Sequence, residues 1–340
     1  MELTRGINLG GYLSQCEHSV SHYEAFLSEE DIRKIADMGF DHVRLPIDYE
    51  VLEQEDGQPI EEGYALVSRV VDWCKSAHLK IVLDLHKAYG YDFNDAGTEG
   101  KNDLFTNEKL KQRFVRLWVR IATRFQEYDH VVFELLNEVV EKENAVLWNA
   151  LIDETMKAIR TITRDIPVIY GGIQWNSVKT LKLLEQPKYE NVIYTFHFYE
   201  PLLFTHQKAY WVPAMDPEED ILYPESMQYY CERSEKLGYQ GEVVTKAKSQ
   251  TMGTEFIREM ILEAVTAAKK AGVPLYCGEF GVIDAAPLPD TLRWFRDVEQ
   301  VFSEYGIGCA VWCYKEKDFG LMGSHYDAIR QDLLRLWNHK

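Results

Sequence analysis

The sequence predicts a single α/β domain, a (β/α)8 TIM barrel over residues 1–340 with a subdomain inserted after the sixth strand. Eight short apolar segments alternate with segments whose apolar residues recur at helical spacing, which is typical of a parallel sheet. The count of eight favours a closed barrel over an open, doubly wound sheet. A composition that is 46% hydrophobic supplies enough apolar side chains for the core of a large domain.

The strands are predicted where a short run rich in Val, Ile, Leu or Phe is bounded by polar or turn-forming residues. Because a helical segment separates each run from the next, the strands are expected to be parallel. In chain order, the predicted strands are residues 5–9, 42–46, 80–86, 131–136, 167–172, 192–199, 274–279 and 308–314.

The helices are predicted from apolar residues that share one face and from residues typical of helix ends. Ser28, followed by three acidic residues, predicts a helix N-cap, and Gly39 and Gly272 predict helix ends. The predicted helices are residues 28–39, 63–78, 108–125, 145–162, 176–184, 254–271, 288–305 and 326–337.

One connection is much longer than the others. About fifty residues separate the sixth strand from the next long helix, whereas a βα loop usually has ~2–6 residues. We expect residues 201–252 to form an inserted subdomain over the barrel mouth. Phe204, His206, Tyr210 and Trp211 cluster within this span. Their side chains either face the mouth or fill the core of a small, self-packed excursion.

The charge balance restricts the possible partners. The net charge of −18, from 37 basic and 55 acidic residues, argues against nucleic acid and anionic membranes and favours a neutral or cationic ligand. No apolar stretch is long enough to span a bilayer. The N-terminal residues lack the apolar region of a signal peptide, so we expect a cytoplasmic location, or secretion if a leader was removed. We also expect a monomer.

The six cysteines, at positions 16, 74, 231, 277, 309 and 313, form no CxxC pair. Neither a zinc site nor a redox pair is therefore expected, and free, mostly buried thiols suit a reducing compartment. Pairing of Cys16 or Cys231 stays open. The sequence also has no HxH or HExxH cluster, so no metal or other cofactor is expected.

Polar and aromatic residues mark the C-terminal ends of six predicted strands. In (β/α)8 barrels these ends form the active-site face. Because the strands converge on one mouth, we expect side chains from different strands to meet there. The candidates are Arg44, His86, Asn137, Glu138, His197, Tyr199, Glu279 and Trp312.

Glu138 and Glu279 each end a separate apolar strand. Two carboxylates in this arrangement are what acid/base or nucleophilic carboxylate chemistry needs. Taken singly, Glu138 could be a solvated loop residue, and the histidines and the tryptophan could belong to the core. Glu134 lies within a predicted buried strand, where a carboxylate needs an ion-pair partner, and Arg44 is the candidate. Asp84 is assigned a structural role. The coincidence of so many polar strand ends favours an active site.

Seven short motifs follow one another along the predicted barrel. They read GINLGG (6–11), HVRLP (42–46), DLH (84–86), FELLNE (133–138), TFHFY (195–199), YCGEFG (276–281) and VW (311–312). With these motifs the chain resembles the family 5 glycoside hydrolases, in a clan of retaining (β/α)8 enzymes. The resemblance is greatest to bacterial endo-β-1,4-glucanases with a subdomain after strand six. Tyr12 departs from the pattern, since many relatives have Trp there.

The resemblance implies a role for each glutamate. Glu279 would be the nucleophile that attacks the anomeric carbon, held in its ionised form by Arg44 and Tyr199. Glu138 would be the acid/base, which protonates the glycosidic oxygen and later activates water; this role requires a raised pKa.

The resemblance also implies a set of substrate-binding residues, which are Arg44, His86, Asn137, His197, Tyr199 and Trp312. Asn137 would bond the sugar 2-hydroxyl, a contact that strengthens in the transition state. His86 and His197 would position sugar hydroxyls and the carboxylates, and Trp312 would offer a ring face to the apolar side of a pyranose. Further contacts from the inserted segment are expected at Phe204, His206 and Trp211.

These implications lead to one expected activity, the cleavage of β-1,4 bonds in β-glucans or cello-oligosaccharides with retention of configuration. The same mechanism allows transfer of the sugar to acceptor sugars. The same residues would serve a β-mannanase or an exo-β-1,3-glucanase. A sugar-binding barrel without turnover is a further alternative, disfavoured because both glutamates and their supporting residues are present.

Overall fold

The structure of the protein, a computed structural model, describes residues 2–338 and contains a closed barrel of eight parallel strands in sequential order. The first strand pairs with both the second and the eighth, which closes the sheet. The predicted fold is confirmed. The strands are β1 (Arg5–Asn8), β2 (His42–Asp48), β3 (Lys80–Lys87), β4 (Val131–Glu134), β5 (Val168–Gly171), β6 (Val192–Phe198), β7 (Leu275–Phe280) and β8 (Gly308–Val311).

The helices surround the barrel or belong to its loops. They are α1 (Val20–Phe26), α2 (Glu29–Asp37), α3 (Tyr49–Leu52), α4 (Glu61–Ser76), α5 (Glu108–Phe125), α6 (Ala145–Arg160), α7 (Leu202–Thr205), α8 (Met227–Ser234), α9 (Glu242–Thr245), α10 (Thr254–Ala271), α11 (Leu288–Tyr305) and α12 (Arg330–Asn338). Helices α5, α10 and α11 have the predicted limits. The last helix begins later than predicted, because a 3₁₀ turn, Ser324–Ala328, precedes it.

The helix ends follow the predicted chemistry. Ser28 and Asp31 form a capping box, in which each side chain bonds the other residue's backbone N–H. Gly272 ends α10 with φ +70°, a left-handed conformation that glycine adopts without steric strain. On the outer face of the sheet, Trp118 of α5 packs on Phe133 and donates from its indole nitrogen to the Leu135 carbonyl at 3.0 Å. This contact holds the helix against the strand that leads to Glu138.

The predicted helix over residues 176–184 is wrong. Only a 3₁₀ turn, Leu181–Leu183, forms there. The residues before it, Gln174, Trp175 and Asn176, have positive φ angles of 54°, 57° and 52°. A left-handed turn cannot continue into a right-handed helix, so the helical pattern is interrupted at its start. An open groove of about 880 Å³ lies between this segment and α10.

The barrel interior changes from apolar to charged along its axis. At its lower end Val82, Val132 and neighbouring side chains form a buried apolar cluster. Two residues further along the same strands come Asp84 and Glu134, which pair in register and are fully buried. Successive side chains of a strand point to opposite faces, so residues two apart share a face. Asp84 and Glu134 therefore point into the barrel, as Val82 and Val132 do. Charged groups therefore lie directly beneath the mouth.

The chain between β6 and α10 forms short helices, α7 to α9, and a 3₁₀ segment. Phe204 lies 5.2 Å from Tyr223, ring to ring, and both are buried. The segment is tied to the barrel where the Ile283 N–H donates to the Thr205 carbonyl at 2.9 Å. That residues 201–252 form a distinct subdomain over the mouth stays a prediction.

Two further sequence predictions concern the whole chain. All six cysteines are free, as predicted. Within residues 2–338, the structure has no helix that is both long enough and apolar enough to cross a membrane.

Candidate active site

The eight predicted strand-end residues lie at one end of the barrel. His86, His197 and Glu279 lie near the C-terminal ends of β3, β6 and β7, whereas Arg44 is the third residue of β2 and lies deeper than predicted. The others follow their strands in the loops and lie slightly further out than predicted. These are Asn137, Glu138, Tyr199 and Trp312.

Glu138 and Glu279 face each other across a short gap. One oxygen of each carboxylate and one ring nitrogen of His197 all lie within 4.8 Å of one another. The two glutamates are 9% and 6% exposed, respectively, so the gap is nearly closed to solvent in the free protein. The two oxygens of Glu279 have separate donors, Arg44 Nη1 at 2.7 Å and the Tyr199 hydroxyl at 3.0 Å. These bonds fix the orientation of the carboxylate.

Arg44 uses all of its hydrogen-bonding capacity within the protein. Its five N–H groups make five bonds, two to Glu134 and one each to Glu279, Asn8 and Asn137. The predicted pair with Glu134 is confirmed. Arg44 is 0% exposed, so its assignment as a sugar-binding residue is wrong. It is a positioning residue for Glu279 and for Asn137.

The Arg44 guanidinium remains charged despite its burial. Burial alone would lower its pKa, but the neighbouring carboxylates of Asp84, Glu134 and Glu279 outweigh this effect and raise it. Burial raises the pKa of Asp84 to about 7, although Arg44 opposes this shift. The layer beneath the site therefore holds a permanent cation among several carboxyl groups.

Glu138 has the environment of a general acid. Burial raises its pKa to about 7, and the neighbouring His86 ring and Arg44 guanidinium only partly oppose the shift. Its Oε1 atom lies 2.6 Å from Nδ1 of His197. Burial lowers the pKa of His197 to about 4, so the ring is neutral at pH 7 and donates from Nδ1 to Oε1. The second oxygen, Oε2, is left to carry the acid proton.

The sequence interpretation missed Asn176. Its Nδ2 atom donates to the Asn137 carbonyl at 2.5 Å, and its own carbonyl accepts from the His197 N–H at 3.0 Å. It therefore joins the loop that carries Glu138 to the strand that carries His197. Asparagine tolerates the left-handed conformation better than most residues, and this property, in a turn that follows two glycines, was the available signal.

His86 has a partner at each ring nitrogen. Nδ1 lies 2.6 Å from Asp84 Oδ2, and Nε2 lies 3.0 Å from the side-chain nitrogen of Gln15. The ring also stacks on Trp312, with centroids 6.0 Å apart and planes 7° from parallel. Gln15 was not predicted, because it lies in a loop without an apolar pattern. Its φ of 54° is left-handed.

Two of the three aromatic residues expected from the inserted segment lie beside the site. His206 packs edge-on against Tyr199 at 4.9 Å, and Trp211, which is 41% exposed, lies 6.1 Å from His206. Phe204 is 0% exposed and packs on Tyr223, so the expected contact between Phe204 and a sugar is wrong. The side chain fills the core of the inserted segment instead.

One further group could hold a metal ion by its geometry, formed by His18, Asp48 and Glu50. His18 Nε2 lies 3.3 Å from Asp48 Oδ2, and this hydrogen bond raises the pKa of His18 to about 10. The ring is consequently a cation at pH 7, and a protonated nitrogen does not ligate a metal. We interpret the group as an ion pair at the rim of the barrel.

The chain matches known proteins along its length. The sequence model of the cellulase family, glycosyl hydrolase family 5, matches residues 6–318. Endoglucanase C of Acetivibrio thermocellus is 39% identical over 339 residues, which cover 97% of this chain and 96% of that protein. Cellodextrinase A of Ruminococcus flavefaciens is 40% identical over 306 residues, which cover 90% of this chain and 83% of that protein.

Solved structures show the same architecture. Cel5A of Thermotoga maritima, in complex with mannotriose, matches with a TM-score of 0.74 at 26% identity and covers 98% of this chain and 97% of its own. A structure of the same protein with cellobiose also matches with a TM-score of 0.74. The family match, the relatives and the paired glutamates agree, and the chain belongs to the cellulase family, glycosyl hydrolase family 5.

Proposed function

We propose that the protein is an endo-β-1,4-glucanase that cleaves β-glucans and cello-oligosaccharides by double displacement. The observation that carries the proposal is the facing pair Glu138 and Glu279, with oxygens within 4.8 Å of each other and different surroundings. Retaining glycosidases hold their carboxyl groups ~5–5.5 Å apart, whereas inverting enzymes keep them ~6.5–9.5 Å apart to admit a water. The names of the relatives, an endoglucanase and a cellodextrinase, support a β-glucan substrate.

In the first step, a Glu279 oxygen attacks the anomeric carbon while the bond from that carbon to the leaving oxygen breaks. Glu138 gives its proton to the leaving oxygen, so the departing sugar carries a hydroxyl group. The Tyr199 hydroxyl and the Arg44 guanidinium hold Glu279 in line for the attack. The products are a glycosyl ester on Glu279 and an ionised Glu138.

In the second step, Glu138 takes a proton from water as the water oxygen attacks the anomeric carbon. The ester bond breaks, and Glu279 returns to a carboxylate. A sugar hydroxyl in place of water gives transfer to an acceptor. Two inversions at one carbon retain its configuration.

The sugar at the cleavage point is expected to contact two side chains, Asn137 and Trp312. The Asn137 oxygen is occupied by Arg44 at 2.8 Å, so its amide nitrogen is the group available to a 2-hydroxyl. Trp312 offers a ring face, and its stacking on His86 fixes the angle of that face. These contacts position the sugar over Glu279.

The stereochemical outcome is a direct test of the mechanism. We expect NMR of a fresh reaction to show the β-anomer of the product first, with the α-anomer appearing only by mutarotation. The reason is the short gap between the carboxylates, which has no room for a nucleophilic water beneath the sugar. Initial appearance of the α-anomer would contradict double displacement.

The substrate is tested by comparing hydrolysis of cello-oligosaccharides and soluble cellulose derivatives with that of mannan and laminarin oligosaccharides. We expect the highest kcat/KM on β-1,4-glucans, and a rapid fall in viscosity per bond cut on the soluble polymer. β-Mannan is the second candidate, because Thermotoga maritima Cel5A was solved with both mannotriose and cellobiose. Preference for mannan or laminarin would refute the glucanase assignment, and a slow fall in viscosity would refute endo action.

The exposed Trp211 ring provides a test of the inserted segment. Trp211→Ala is expected to raise KM for longer oligosaccharides more than for short aryl glycosides, because a stacking surface beyond the cleavage point is lost. Leu222→Ala is a matched control, since Leu222 is also an exposed apolar residue of the segment, at 46%. The control should leave the ratio of the two KM values unchanged. An equal effect of Trp211→Ala on long and short substrates would refute the role of Trp211.

The monomeric state and the cytoplasmic location remain predictions from the sequence.

A further inference from the structure

The two partners of His86 require the same tautomer of its ring. The Gln15 amide nitrogen can only donate, so His86 Nε2, 3.0 Å away, accepts and carries no proton. The proton of the neutral ring is then on Nδ1, which donates to Asp84 Oδ2 at 2.6 Å. Burial lowers the pKa of His86, which favours the neutral ring.

We propose that Asp84, which the sequence interpretation assigned to structure, is a positioning residue for catalysis. It holds His86 as the Nδ1–H tautomer, so that Nε2 presents a hydrogen-bond acceptor to a hydroxyl of the bound sugar. The Gln15 amide occupies this acceptor in the free enzyme and yields it to the substrate. The inference rests on the proposed function only for the identity of that hydroxyl as part of a β-glucan.

The surroundings of Asp84 support a positioning role. Asp84 and His86 lie two residues apart on β3, so both side chains point into the barrel. The carboxylate is fully buried, and its Oδ2 atom also forms an ion pair with Arg44 Nη2 at 3.0 Å. Among residues 2–338, the other oxygen, Oδ1, has no hydrogen-bond partner. The Oδ2 atom therefore contacts both His86 and Arg44, which fixes the carboxylate in one orientation.

The backbone of Gln15 is held in place on both sides of the peptide unit. Its backbone N–H donates to Asp48 Oδ2 at 3.0 Å, and its carbonyl accepts from the Lys317 ammonium. These bonds fix its left-handed backbone beside His86. The fixed backbone places the side-chain amide beside His86, where its donor group requires Nε2 to accept, while the side chain can still turn aside for the substrate.

The simpler alternative is that Asp84 only balances the charge of Arg44. Glu134 performs that task as well, with two hydrogen bonds to the same guanidinium. No hydrogen bond joins Glu134 to His86 among the residues that the structure describes. Glu134→Gln therefore perturbs Arg44 without removing a partner of His86, and it serves as the matched control.

The test measures the tautomer of His86 at pH 7 from long-range ¹H–¹⁵N NMR spectra of histidine-labelled protein. The wild type should show Nδ1–H. Asp84→Ala should shift the ring toward Nε2–H or a mixture, because the acceptor at Nδ1 is lost. Asp84→Asn should restore the wild-type tautomer, since an amide oxygen can accept from Nδ1 at the same place. Glu134→Gln should leave it unchanged.

Kinetics give a second readout. Asp84→Ala should lower kcat/KM by about 10–100-fold, as is typical for residues that orient a functional histidine, and Asp84→Asn should recover much of the loss. In a double-mutant cycle, Asp84→Ala should add little to the effect of His86→Ala. Equal damage from the alanine and asparagine variants, or full additivity with His86→Ala, would show that Asp84 acts through the charge of Arg44.

The tautomer of His86 in the wild type can be measured without any activity and without the folding of any variant. A wild-type ring with its proton on Nε2 would overturn the inference by itself. If the wild type shows Nδ1–H, the variants respond as expected and no glucan is hydrolysed, the proposed function fails while the positioning of His86 stands.

Discussion

Glu279→Ala is expected to abolish hydrolysis, with kcat lower by about 10⁴-fold or more, the scale seen when a covalent nucleophile is removed. Without the carboxylate no glycosyl ester can form. Activity is measured on cello-oligosaccharides and aryl cellobiosides, and circular dichroism with thermal unfolding verifies the fold. Substantial turnover by a folded variant would refute the assignment of Glu279.

Two controls make this result specific. Glu279→Gln keeps an oxygen for the Tyr199 hydroxyl or for Arg44, so we expect it to be equally inactive but more stable than the alanine variant, which leaves buried donors unpaired. In the wild type, a 2-fluoroglycoside should form an adduct that mass spectrometry locates on Glu279. An adduct on another residue would contradict the proposed nucleophile.

Glu138→Gln is expected to reduce kcat by about 10²–10⁴-fold on substrates with poor leaving groups, the range usual for general acid catalysis. Formation of the glycosyl ester from activated aryl glycosides should be largely preserved, because such leaving groups depart without protonation. Pre-steady-state kinetics on both substrate types separates the two steps. Equal damage to both would show that Glu138 is not the acid.

The pH profile provides the control for Glu138. Burial raises its pKa to about 7, and the first step needs the protonated form. In the wild type, kcat/KM should therefore fall as the pH rises through about 7, because the fraction of protonated Glu138 decreases. Glu138→Gln cannot lose a proton, so this alkaline limb should disappear on activated substrates. Its persistence would assign the limb to another group.

The parts of the site that follow from strand periodicity were predictable. A buried strand that ends in a carboxylate places this group at the barrel mouth whatever the surrounding loops do, and so Glu279 was found. Arg44 and Glu134 were paired correctly because an isolated charge within a buried strand is too unfavourable to persist. The depth of Arg44 was not predictable, since the sequence does not show which neighbours use its donors.

The missed features depend on backbone conformations and on packing between distant segments. Asn176 and Gln15 act through left-handed turns, and the pattern of apolar residues carries no information about the sign of φ. Phe204 and Trp211 lie in one aromatic cluster of the sequence, yet one is buried in the inserted segment and the other is exposed at its surface. Only the three-dimensional path of the chain separates them.

The single guanidinium beneath the site has a consequence for the resting enzyme. Arg44 faces Asp84, Glu134 and Glu279, so full ionisation of these carboxyl groups would leave an uncompensated negative charge in a dry interior. Burial raises the pKa of Asp84 and of Glu134 accordingly. The charged layer thus disfavours full ionisation, and a pKa of about 7 keeps a large fraction of Glu138 protonated at neutral pH before any substrate arrives. The working pH of the enzyme is then a property of the whole charged layer, which a substitution far from the sugar can shift.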